Sequence, residues 1–251
     1  MNLKSISFYL GLFCFPVSIL AFINILYSSY FDYYLSLDTY LYTLFISLLL
    51  GFIFYYIGKK SIKKINFVEQ LVLIILVYLL VGFLISIPYY FSNFKITLLN
   101  SFFESISGLT GTGFSTIDNI KYLDPTLIIW RSSSQWIGGL YFLFFLIFLL
   151  SNKSFNFKMT DLTFTYERNF NSEEIIRNDI FKIFLFYVIL SVICFTLFNI
   201  SGVRLFNSLN LSMTLISGGG FLPSENLNMI ISTNFQKVVL ILSLLLSMLN
   251  F

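Results

Sequence analysis

Five stretches of this chain are long and apolar enough to cross a bilayer as single helices: Ile6–Tyr27, Tyr40–Ile57, Leu71–Phe91, Thr126–Leu150 and Ile180–Ile200. A spanning helix needs about 20 mostly apolar residues. The lipid core leaves no water to satisfy an open backbone, so the spans must be helical. A sixth, shorter stretch runs from Asn234 to Phe251. Of the 251 residues 57% are hydrophobic and only 11% charged, where soluble domains carry about 25% charge. This excludes an ordinary soluble enzyme, a disordered chain and a nucleic-acid binder. Histidine is absent, which removes the commonest general base and metal ligand. Cys14 and Cys194 lie far apart inside apolar stretches and are expected to be buried thiols, not a disulfide. The first stretch follows Lys4 but contains Pro16 and lacks a small-x-small cleavage site, so it is expected to remain as a helix.

Lysine and arginine in short loops mark the cytoplasmic face. Loop 58–70 carries Lys59, Lys60, Lys63 and Lys64. Loop 151–177 carries Lys153, Lys158, Arg168 and Arg177, and loop 28–39 has Asp32 and Asp38 but no base. The expected arrangement is a multi-pass inner-membrane protein with a cytoplasmic N-terminus. Segments 92–125 and 201–232 then begin and end outside. Both are too short and polar to span. Each holds a short helical stretch, 98–109 and 205–216, followed by glycines: Thr110-Gly111-Thr112-Gly113-Phe114 and Ser217-Gly218-Gly219-Gly220-Phe221. Backbone that dips into the membrane and returns must be buried or line a watery cavity, as a re-entrant pore loop does.

A constant offset of 107 residues superposes the two loops without a gap. Asn100-Ser101 falls on Asn207-Ser208, Gly111 on Gly218, and Gly113-Phe114 on Gly220-Phe221. Span 71–91 falls on 178–198, and Arg131 falls near Lys237. The unit is helix, pore loop, helix, present twice. The chain divides into residues 1–70 (two leading helices and a basic loop), 71–150 (the first repeat), 151–177 (a cytoplasmic loop) and 178–251 (a second, truncated repeat). Rings of backbone carbonyls can replace the hydration shell of a monovalent cation, and glycine permits the backbone that points them at one axis. A short helix aims its partly negative C-terminus at the same place. Neither 105–120 nor 212–222 carries a base, so an anion site is not indicated. The loop design indicates cation conduction but does not by itself choose potassium over sodium. Thr112 and Ser217 could add hydroxyl oxygens or brace their loops. Glu104, inside the first short helix, is either a functional carboxylate or a brace bonded to loop amides. Arg131 either braces the pore or snorkels outward. Tyr89-Tyr90-Phe91 and Tyr55-Tyr56 are expected as interfacial belts. Gly, Ser and Thr also serve close helix packing in membranes; two loops in register favour the pore reading.

At these residues the chain resembles the TrkH/KtrB/HKT superfamily of potassium transporters, most closely the TrkH branch. Phe102-Phe103-Glu104-Ser105-Ile106-Ser107-Gly108-Leu109-Thr110-Gly111-Thr112-Gly113 is similar to that branch's first pore helix and filter. Trp130-Arg131-Ser132-Ser133-Ser134-Gln135-Trp136-Ile137-Gly138-Gly139-Leu140 is similar to the start of the next helix in that branch. The likeness covers roughly 70–251, and the two leading helices fit an N-terminal pair of that branch. It implies an all-α membrane protein with voltage-gated-channel-like pore architecture, equivalent to the N-terminal half of a Trk-type uptake protein. It implies filter glycines at Gly113 and Gly220, and potassium ligands from the carbonyls of Thr110, Gly111, Thr112 and Gly113 and of Ser217, Gly218, Gly219 and Gly220. It further implies a homodimer, a cytoplasmic nucleotide-binding regulatory ring, lipid as surroundings and no cofactor or enzymatic activity. The family uses four repeats around one pore, and fewer than two complete ones stand here. Ser217-Gly218-Gly219-Gly220 is also richer in glycine than the family's usual filter. Two other readings remain: a non-conducting remnant or scaffold, and a tandem-pore cation channel whose paired chains pool four loops.

Overall fold

The computed structural model describes residues 2–32, 34–61, 65–94, 96–117, 119–150 and 173–248. The described residues form eight α-helices. They are α1 (Leu3–Tyr30), α2 (Tyr34–Gly58), α3 (Phe67–Tyr90), α4 (Leu98–Leu109), α5 (Pro125–Leu150), α6 (Glu173–Ile200), α7 (Leu205–Ile216) and α8 (Asn234–Met248). Of these, α1, α2, α3, α5 and α6 are long and apolar enough to cross a membrane. No strand occurs among the described residues. Helix α1 runs through Pro16 without a break, and α3 contains Pro88 in its last turn.

Helices α1 and α2 pair through glycine. A Cβ on Gly11 would lie 2.7 Å from the Gly51 carbonyl, and one on Gly58 2.5 Å from the Lys4 carbonyl, so the two backbones touch. The start of α3 ties this pair to the rest of the chain. Glu69 accepts the backbone N–H of Asn66 at 2.9 Å, the capping-box bond that satisfies an orphan donor, and that of Asn2 at 2.5 Å. Leu10, Cys14, Val77, Leu84, Leu109, Trp130 and Tyr141 pack as one core between α1, α3, α4 and α5. Leu143, Tyr187, Cys194 and Ile216 join α5, α6 and α7, and Phe198, Leu211, Ile231 and Val239 join α6, α7 and α8. Cys14 and Cys194 are buried free thiols.

The 107-residue offset holds at the level of elements. It carries α4 onto α7 end for end, places 67–90 on 174–197 inside α6, and carries the short 3-10 turn Ile120–Tyr122 onto Leu227–Met229. Each repeat closes on itself, α3 with α4 and α5, and α6 with α7 and α8, and among the described helices α5 reaches across to pack on both α6 and α7.

Several expectations need correction. The interval 28–39 is not a loop: α1 extends to Tyr30 and α2 starts at Tyr34, which puts Asp38 on a helix and leaves Asp32 in the turn at φ 59°. Helix continues past the most apolar windows at both edges of this turn. Tyr89 is fully buried, whereas Tyr90 and Phe91 are exposed, so Tyr89 is a core residue and not part of a belt. Lys237 lies near the start of α8, as the offset implies, and is exposed where Arg131 is buried. Lys59 and Lys60 are exposed after α2. Lys63, Lys64, Lys153, Lys158 and Arg168 lie outside the described residues, and Arg177 falls within α6.

Candidate functional site

Helices α4 and α7 end in the same way. At the end of α4, Gly111 N–H donates to Gly108 O at 3.0 Å and Thr112 N–H to Ser107 O at 3.0 Å, with Gly111 at φ 67°. At the end of α7, Gly218 N–H donates to Leu215 O at 3.0 Å and Gly219 N–H to Thr214 O at 2.8 Å, again with φ 67° at the glycine. These are twin Schellman motifs, which need a left-handed residue at the position after the cap. They take up the carbonyls of Ser107 and Gly108 in α4 and of Thr214 and Leu215 in α7. The carbonyls beyond the cap are left to the loop. The hydroxyls turn back: Thr110 Oγ1 donates to Ile106 O at 2.8 Å and Ser217 Oγ to Met213 O at 2.9 Å, while Thr112 Oγ1 lies 2.7 Å from Thr110 Oγ1.

Two adjacent glycines of α5 receive the two helix ends. A Cβ on Gly138 would fall 2.0 Å from Leu109 O, and one on Gly139 2.9 Å from Ser217 Cα. Larger residues there would push α4 and α7 outward. The loops themselves meet at Gly113, where a Cβ would fall 2.8 Å from Gly220 Cα.

Beyond the caps the repeats diverge. The first loop is latched by its own helix and by α5. Ser107 Oγ donates to Phe114 O at 2.6 Å. Glu104 Oε1 accepts from Thr116 N at 2.5 Å, Ser115 Oγ at 2.7 Å and Thr116 Oγ1 at 3.2 Å. Arg131 Nη2 donates to Ser115 Oγ at 3.0 Å and stands 3.7 Å from Glu104 Oε2. The side chains of Glu104 and Arg131 are 0% and 2% exposed, so the pair interacts in a medium of low dielectric where neither charge stands alone. The second loop has Leu211, Leu222 and Pro223 at the positions of Glu104, Ser115 and Thr116. It is held instead by Gln135 of α5, whose Oε1 accepts Phe221 N–H at 3.2 Å and the Thr214 hydroxyl. The Arg131 guanidinium lies 4.3 Å over the Phe221 ring, a cation–π contact.

The structure thus brings Thr110, Gly111, Thr112 and Gly113 beside Ser217, Gly218, Gly219 and Gly220, with Glu104 and Arg131 behind the first loop. Thr110, Thr112, Gly218 and Gly220 are exposed. Phe114 is 70% exposed, while its repeat partner Phe221 is 2% exposed. This face carries backbone carbonyls and hydroxyls and no base, because Arg131 is withdrawn behind the loop. Such a face can offer neutral oxygen ligands to a cation. Among the described residues no group of three His, Cys, Asp or Glu could hold a metal ion. Just before α5, partial burial raises the carboxyl of Asp124 from its ordinary value. Ser107, Ser115, Thr116, Gln135 and Thr214 were not legible as site residues. A signal for one of them exists: Arg131-Ser132-Ser133-Ser134-Gln135 is an unbroken polar run inside a spanning helix, and all five are buried.

No family model matches the chain. Over 176 residues it is 31% identical to an uncharacterized cation transporter of Methanocaldococcus jannaschii, covering 67% of this chain and 35% of that one. Over 183 residues it is 25% identical to the Trk system potassium uptake protein TrkH of Salmonella typhimurium, covering 71% of this chain and 38% of the relative. The fold is similar to that of the crystal structure of the potassium transporter TrkH from Vibrio parahaemolyticus, with a TM-score of 0.82, 20% identity, and coverage of 98% of this chain and 49% of that one. The chain therefore spans about a third to a half of the length of the relatives it matches.

Proposed function

The chain belongs to the TrkH/KtrB family of potassium transporters, and on that premise we propose that its two loops form one side of a potassium-conducting pore. The observation that carries this reading is the pair of glycine loops abutting at Gly113 and Gly220, each mounted on the C-terminal end of a short helix. In this reading the carbonyls of Thr110–Gly113 and Ser217–Gly220 take the place of part of the ion's hydration shell. The helix ends add partial negative charge. Glu104 and Arg131 brace the first loop and do not touch the ion. The movement is passive or gated, and an inside-negative potential favours inward passage of a monovalent cation by about 2.3 kcal/mol per 100 mV. Glycine at Gly113, where some plant members with sodium preference carry serine, favours potassium.

The chain sits in the inner membrane with its N-terminus in the cytoplasm, the orientation that the basic residues after α2 favour. That face is then the docking side for a nucleotide-binding regulatory ring. Two loops surround only part of a four-loop pore, so conduction needs two more. A second copy is one source, and mass measurement in detergent against the 29.1 kDa chain identifies it. The function is tested by potassium-limited growth of an uptake-deficient host. Growth restored by the chain and lost with Gly113→Ala supports conduction; no restoration when the chain is expressed and membrane-inserted supports a non-conducting role.

A further inference from the structure

We propose that Gln135 is a positioning residue that holds the second filter loop in place from the neighbouring repeat. It is fully buried on α5, one helical turn after Arg131. Its side-chain amide faces a backbone N–H, Phe221, which can only donate, so the atom presented is the carbonyl oxygen. The Thr214 hydroxyl shares that oxygen. Among the described residues the buried amide Nε2 has no hydrogen-bond partner, a cost that the two bonds to the oxygen offset.

Three observations make this hold specific to the second loop. Thr214 occupies the position at which Ser107 latches the first loop to its own Phe114 carbonyl, but here the hydroxyl is spent on Gln135. Leu211 replaces the Glu104 carboxylate, so the short helix before this loop offers it no acid. The loop backbone also lies directly on the amide: a Cβ at Gly219 would fall 2.3 Å from Gln135 Cδ. The second loop is therefore cast against a side chain it does not own. On the pore reading above, Gln135 also sets where the carbonyls of Ser217–Gly220 point, and with them the discrimination between potassium and sodium.

The test is hydrogen–deuterium exchange on the full chain in nanodiscs, with Gln135→Leu, Gln135→Glu and Gly219→Ala. Gln135→Leu removes the acceptor and should raise exchange across 217–222 about ten-fold, the consequence of losing one buried hydrogen bond, while 110–116 stays at the wild-type rate. Gln135→Glu keeps an acceptor oxygen and should keep the protection. Gly219→Ala displaces the amide from the loop side and should reproduce the leucine pattern, which decides the matter if the leucine variant fails to fold. Unchanged exchange in 217–222, or an equal rise in both loops, overturns the positioning role. In liposomes the rubidium-to-sodium flux ratio should fall at least several-fold in Gln135→Leu and recover in Gln135→Glu. An unchanged ratio overturns the selectivity consequence. A wild type that carries no flux overturns the transport reading and that consequence together, while the exchange pattern still decides the positioning role.

Discussion

A buried charge is tolerable only in company, and Glu104 and Arg131 supply each other's. Removing one partner of such a pair typically costs about 3–5 kcal/mol because the other is left uncompensated. Arg131→Met should therefore melt well below the wild type. Arg131→Met with Glu104→Gln should recover much of the loss, a non-additivity that a thermal-denaturation cycle in detergent will read. Two residues matched by the repeat should also part company. Gly113 sits at φ 77° with its Cβ position against Gly220 Cα, whereas Gly220 is not among the left-handed residues and its Cβ position clears Gly113 Cα by 3.5 Å. Left-handed backbone costs a residue with a Cβ roughly 1–2 kcal/mol. Gly113→Ala should abolish rubidium uptake and lower the melting temperature; Gly220→Ala should leave the melting temperature near wild type. Equal loss in the two variants would show that the loops are equivalent after all.

At the level of elements, the short helices were the most legible part of the chain, and the reason is local. Residues 98–109 and 205–216 are each followed by a cap residue and then a glycine suited to the left-handed turn, Gly111 or Gly218, and the structure ends both helices there. The backbone beyond each cap was not legible, because it is fixed by contacts with no sequence period: Ser107 folding back on Phe114 O, Glu104 reaching Thr116, Gln135 reaching the other repeat. The shortness of the turn between α1 and α2 was hidden for a similar reason, since polar Asp38 rides on an exposed helical face and breaks nothing. The caps themselves yield a clean measurement. Gly218 has φ 67° and open space where a Cβ would go, so Gly218→Ala should cost about 1 kcal/mol through backbone conformation alone. Gly218→Asn should cost less, because asparagine tolerates that region. A large loss in both, read by thermal melting, would mean that the space is occupied.

For the whole molecule, the decisive contrast is between Phe114 and Phe221, matched in sequence and opposite in burial. Phe221 is held in the interior beneath Arg131, and truncation of such a ring costs about 3–5 kcal/mol. Phe114 projects from the loop face, and exposed substitutions usually stay within about 0.5 kcal/mol. Phe221→Ala should destabilise the isolated chain strongly. Phe114→Ala should not, but should reduce chemical cross-linking between chains if that face receives further loops. Unchanged cross-linking in Phe114→Ala would place the assembly surface elsewhere. The fold class and the doubled unit were visible from apolar length and from the offset, because both are written in runs of residues. Which faces of the two units turn inward was not, because that depends on how α5 packs between them.

The place of α5 has a bearing on how the protein is made. Its Gly139, Arg131 and Gln135 are the mould for the second hairpin, and all three leave the ribosome before that hairpin is synthesised. The later segment thus arrives at a template already in the bilayer, so maturation has a direction, from the N-terminal unit to its successor.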